Sequence, residues 1–139
     1  MLEPDSQKLF DGLAKFRDQK VDVGTCVERE YEVGFTLTTM MMTLQKQRWN
    51  VTWLEPNPAC TMGMRVLVRD DAPESTKAAA ASLGKILIAL GLMPPKLKPF
   101  AVFDRPKGNA VILGTAWEPS SADSVLLMVM AHPLGSQLP

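Results

Sequence analysis

Residues 64–90 read Met-Arg-Val-Leu-Val-Arg-Asp-Asp-Ala-Pro-Glu-Ser-Thr-Lys-Ala-Ala-Ala-Ala-Ser-Leu-Gly-Lys-Ile-Leu-Ile-Ala-Leu. The stretch changes character in its middle. Met64 to Val68 is short and rich in apolar and β-branched residues, which predicts a strand. Asp70-Asp-Ala-Pro-Glu is then a helix start. Asp71 is placed to cap, Pro73 falls in the first turn, and Glu74 stands three residues past the cap. This is the Asp form of a capping box. The Ala-rich run that follows has high helix propensity and predicts a helix from Ala72 to about Leu90. Gly91 fits the left-handed position that ends a helix, and Pro94-Pro95 blocks a restart. Phe100 to Phe103 is the next strand, which completes a strand–helix–strand unit.

The same order occurs upstream. Val21 to Val27 predicts a strand. Residues from about Gly34 to Arg48 predict a helix, despite four threonines, because Leu44-Gln-Lys-Gln-Arg48 is good helix material with cations at the negative end of the dipole. Trp49 to Leu54 predicts a second strand. The chain therefore carries a weak internal repeat of the βαβ unit. Before it, Leu9, Phe10, Leu13 and Phe16 share one face of a short helix over Asp5 to Arg17. After it come two more strand candidates, Ala110 to Thr115 and Val125 to Ala131. The last is apolar at every position, so both its faces should be covered.

These elements predict one α/β domain over 1–139, with an N-terminal helix in 1–18 and a frayed tail at 134–139. The expected architecture is a small Rossmann-like sheet built from two βαβ units, with a C-terminal antiparallel strand pair and helices on both faces. In it the first and third strands are central, adjacent and parallel. The alternative is a ferredoxin-like α+β sandwich. Its argument is the link between the second and third strands, about nine residues, where a parallel crossover needs roughly a dozen.

Composition narrows the function. The chain has 139 residues, 46% hydrophobic and 22% charged, with fifteen Lys+Arg against fifteen Asp+Glu. That length buries a sizeable core without a staple. A zero net charge argues against general binding to nucleic acid or to a membrane surface. No signal peptide or membrane span is visible; the longest apolar run is Val125 to Ala131. Cys26 and Cys60 read as reduced thiols, which places the chain in the cytoplasm. One histidine makes a structural zinc site untenable, and no metal or cofactor is expected.

Several segments together carry a resemblance. They are Lys8-Leu-Phe-Asp-Gly-Leu-Ala-Lys-Phe, Val21-Asp-Val, the helix ending Leu44 to Arg48 before Trp49-Asn-Val, Gly63-Met-Arg-Val-Leu-Val, Ala89-Leu-Gly-Leu, and His132-Pro133. This pattern resembles an uncharacterised bacterial α/β domain often found as the soluble C-terminal part of membrane-anchored proteins of unknown function. The resemblance implies a fold and a possible anchored setting for relatives. It implies no activity. Glu28-Arg-Glu-Tyr-Glu stands where that pattern would have Gly-Asp and small residues.

No motif supplies a nucleophile–base set. His132 reads as a polar residue at a strand end. Cys26 reads as a small buried thiol, and Cys60 as a loop thiol open to reagents. Trp49, Trp53 and Trp117 are expected in core or interface packing. The candidate ligand residues lie in two loops: Glu28, Arg29 and Tyr31 after the first strand, and Arg69, Asp70 and Asp71 after the third. If those strands are parallel neighbours, both loops flank one crevice at the carboxyl ends of the sheet, where open α/β sheets bind ligands. The expected function is a non-enzymatic sensor, adaptor or protein-interaction domain, self-associating or bound to a protein partner. The alternative is a site for a small ligand, an anion or a divalent ion, or a minor hydrolase, in that crevice.

Overall fold

A computed structural model describes residues 4–25, 31–54, 64–103 and 119–129. Helix α1 (Pro4–Asp11) runs into a 3-10 helix, Gly12–Phe16. Strand β1 (Lys20–Thr25), helix α2 (Tyr31–Lys46) and strand β2 (Asn50–Trp53) follow. Then come β3 (Met64–Arg69), α3 (Glu74–Ala89), β4 (Ala101–Phe103) and β5 (Ser124–Val129). Every one of these elements overlaps a segment expected above. Ala110 to Thr115 and the resides beyond Val129 lie outside the described residues.

The strands form one mixed five-stranded sheet in the order β2-β1-β5-β3-β4. Each βαβ unit is present: β1 pairs with β2 in parallel, and β3 with β4 in parallel. The departure lies between them. β5 sits in the centre, parallel to β1 and antiparallel to β3. β1 and β3 therefore run in opposite directions with a strand between them. The expected side-by-side parallel arrangement is wrong, and so is the ferredoxin-like sandwich, in which no two neighbours are parallel. β5 also makes no C-terminal hairpin among the described residues; it joins the two units.

One half-turn about an axis through the sheet carries one βαβ unit's directions onto the other's. The strand direction reverses and so does the lateral step, from β1 out to β2 and from β3 out to β4. Two units of the same hand must then put their helices on the same face. That is observed. Phe10, Leu13, Met40, Leu44, Leu83 and Leu87 form one cluster with Val21, Val23, Val66, Val68, Val125 and Leu127. The expectation of helices on both faces fails for this reason: all the described helices share one side. On the other side Leu67, Leu126 and Met128 form a second buried cluster, against which Leu54 and Ala101 pack. Val125, Leu126, Leu127 and Met128 are each 0% exposed, so β5 is buried on both faces as its unbroken apolar run requires.

Local signals fix the helix ends. Gly91 has φ 76°, and its N–H donates to the Ile88 carbonyl while Leu92 N–H donates to Leu87. This is a Schellman motif. α2 ends the same way with Arg48 in the left-handed position, at φ 66°. The start of α3 differs from expectation. Its N-cap is Pro73, which offers no side-chain acceptor. Asp71 is gripped by Arg69 instead, Nε to Oδ1 at 3.0 Å and Nη2 to Oδ2 at 3.1 Å.

Candidate functional site

The strand directions decide which expected residues meet. Thr25, at the exit of β1, is in register with Val129 and so lies level with Met64 at the start of β3. Arg69, at the exit of β3, lies at the opposite rim with Phe103. The two exits are roughly 20 Å apart by strand rise. The crevice expected between the loops after β1 and β3 therefore does not form. Tyr31 opens α2, while Glu28 and Arg29 lie outside the described residues, as do Cys26, Cys60, His132 and Trp117. Arg69, Asp70 and Asp71 remain together at their own rim, with Arg69 forked onto Asp71. No cluster of three metal-ligating side chains occurs among the described residues.

A different concavity stands out, at the edge where β4 stops short. β4 covers only Leu67–Arg69 of β3. Continuing that register would put residues 98–100 beside Met64–Val66. Pro99 prevents it, because proline has no N–H to give to a strand ladder. The chain at Pro99 packs instead on α3, where Gly84 leaves room; a Cβ at Gly84 would overlap the Pro99 carbonyl. The first half of β3 thus has no strand beside it on that side among the described residues.

The space left is a groove of about 770 Å³, within the range of ligand pockets. Val66 and the buried Met93 form its apolar floor, with Leu97, Phe100 and Val102 along its walls. Arg65 and Lys98 supply its charge. Arg65 is half-buried and donates from Nη1 to its neighbour's carbonyl, Met64 O, at 3.2 Å. Neither cation has a carboxylate partner among the described residues. The groove offers apolar surface, cationic charge and a strand edge with no neighbour among the described residues, and no nucleophile or general base among its described lining residues.

The sequence carries a signal for this groove in Pro99, beyond the helix block at Pro94-Pro95. Three prolines in six positions, Pro94, Pro95 and Pro99, stand directly before β4 and limit its length.

Compared with known proteins, the chain matches no family model, no curated protein and no solved structure.

Proposed function

We propose that this chain is a non-enzymatic protein-interaction domain that takes an extended segment of a partner protein into the groove beside Met64–Val66. The observation that carries the reading is the unmatched length of β3 against β4. An exposed strand edge is a template for a further strand, and main-chain pairing supplies much of the affinity in such complexes. The flanking side chains give the selectivity. Apolar side chains of the segment would lie on Val66 and Met93, and a carboxylate would meet Arg65 and Lys98.

The test uses a short labelled peptide of alternating valine and glutamate, against the same peptide with lysine for glutamate. Fluorescence anisotropy should show binding of the first only, weakened at least about tenfold by Arg65→Glu with Lys98→Glu. Equal binding of both peptides, or no effect of the double substitution, would sink the proposal.

A second observation favours self-association. β2 is the other sheet edge among the described residues, and Trp53 on it is 51% exposed. Two copies pairing through β2 would cover both indoles. Light scattering on a size-exclusion column checks this: a monomer at high concentration rejects it.

A further inference from the structure

A second cleft, of about 320 Å³, lies at the opposite end of the helical face, where α3 begins. It is separate from the groove and from the proposed partner site. The N-cap of α3, Pro73, gives no side-chain hydrogen bond, and the first backbone bond of the turn is Lys77 N–H to the Pro73 carbonyl. The amides of Glu74, Ser75 and Thr76 precede that bond. They carry the partial positive charge of a helix start. Glu74 does not cap them; its side chain is 93% exposed and reaches Lys77 at 3.6 Å.

Thr76 is the independent sign of a ligand. It lines this cleft, is 2% exposed, and its hydroxyl has no hydrogen-bond partner among the described residues. A threonine in a helix interior can satisfy its hydroxyl on the carbonyl four residues earlier, but in the first turn of α3 that carbonyl, Ala72, lies before the helix. Thr43 does so in α2, Oγ1 to Thr39 O at 2.8 Å. Thr76 makes no such bond, and a buried hydroxyl without a partner is costly unless something supplies one.

The facing wall comes from the end of the 3-10 helix. Lys15, Arg17 and Lys20 line the cleft against Asp18 and Asp123. Lys20 is committed to Asp123, at 3.3 Å. Lys15 lies over the Phe16 ring at 5.3 Å and has no ion pair among the described residues, nor has Arg17. After the Lys20–Asp123 pair is set aside, two cations and a helix N-terminus face one carboxylate.

We infer that this cleft binds a phosphate-type oxyanion, held by the Thr76 hydroxyl and the first-turn amides of α3, with Arg17 supplying charge. Backbone amides, a hydroxyl and a guanidinium converging on one small concavity are the donor set a phosphate or phosphomonoester takes. The partner-binding reading does not depend on it.

The experiment is thermal unfolding and amide chemical shifts of the whole chain in inorganic phosphate, against sodium chloride at equal ionic strength. Phosphate should raise Tm in a saturable way and move the Ser75 and Thr76 amide resonances. Thr76→Val should be as stable as the parent in chloride, or more so, because the lost hydroxyl has no partner. Its phosphate affinity should fall by about tenfold or more. Arg17→Gln, at an exposed position, should weaken phosphate binding without touching the core. Phosphate no better than chloride overturns the inference, as does unchanged affinity in Thr76→Val. A Thr76→Val that loses stability in chloride also overturns it, because the hydroxyl would then be structural.

Discussion

The backbone of Pro99 rests directly on Gly84, at a point where any Cβ would overlap it. This contact draws the chain off the β3 edge and opens the groove. Gly84→Ala should force the two apart. The expected cost is roughly 1–3 kcal/mol, the usual penalty for overpacking a filled site. Urea unfolding measures it. The valine–glutamate peptide should also lose affinity, because the groove wall has moved. A variant with parental stability would show that the contact is not close.

Arg48 holds a left-handed conformation that costs a residue with a Cβ about 1 kcal/mol relative to glycine. Arg48→Gly should therefore raise stability by about that amount, where most substitutions lower it. The midpoint of chemical denaturation reads the difference. A fall in the midpoint would mean that the arginine side chain contributes more than its backbone strain removes.

Asp22 is 2% exposed, and its Oδ2 accepts the Ser120 N–H at 2.8 Å. It ties the turn before β5 to β1. Asp22→Ala should destabilise by about 1–3 kcal/mol, since it strands that amide. Asp22→Asn keeps an acceptor and should cost less. Equal losses from the two would place the role of Asp22 in its charge and not in this bond.

Asp123 is held below the ordinary carboxylate range, first by the Ser121 hydroxyl and then by Lys20. Its contribution to stability is present above the unfolded value and is lost as the pH falls through the lower folded one. The window lies below about pH 4. Asp123→Asn should flatten that part of the acid unfolding curve by a small amount, as befits an exposed group. An acid limb identical to the parent's would show that the pairing does not persist in solution.

Much of the fold could be read from local pattern, and its limits are physical. The two βαβ units follow from period changes within short stretches, and Gly91 and Pro94-Pro95 mark their own turn. The direction of β3 relative to β1 is not a local property. The sequence bears on it in one place: a link of about nine residues is too short for a parallel crossover, so β3 runs against β2. Because β2 is parallel to β1, β3 must run against β1 too. Opposed directions for β1 and β3 leave no shared crevice at their exits. The central place of β5 follows from its apolar run, but its choice of β1 and β3 as neighbours is a long-range pairing with no local signature. Arg69, Asp70 and Asp71 were correctly placed at a strand exit. The capping box failed because Arg69 competes for Asp71, a contest that spacing alone does not decide. The groove was missed because it depends on where Pro99 goes, and that depends on Gly84, fifteen positions earlier.

The place of β5 has a consequence for synthesis. Gln19 and Asp123, hydrogen-bonded at 2.7 Å beside the first rung between β1 and β5, are 104 residues apart. At ordinary elongation rates the ribosome needs roughly ten seconds to cover that distance. Both βαβ units have been synthesised by then, and neither yet has the strand that joins its inner edge. The nascent chain is therefore two half-sheets awaiting a key, and a chaperone that shields strand edges would act in that interval.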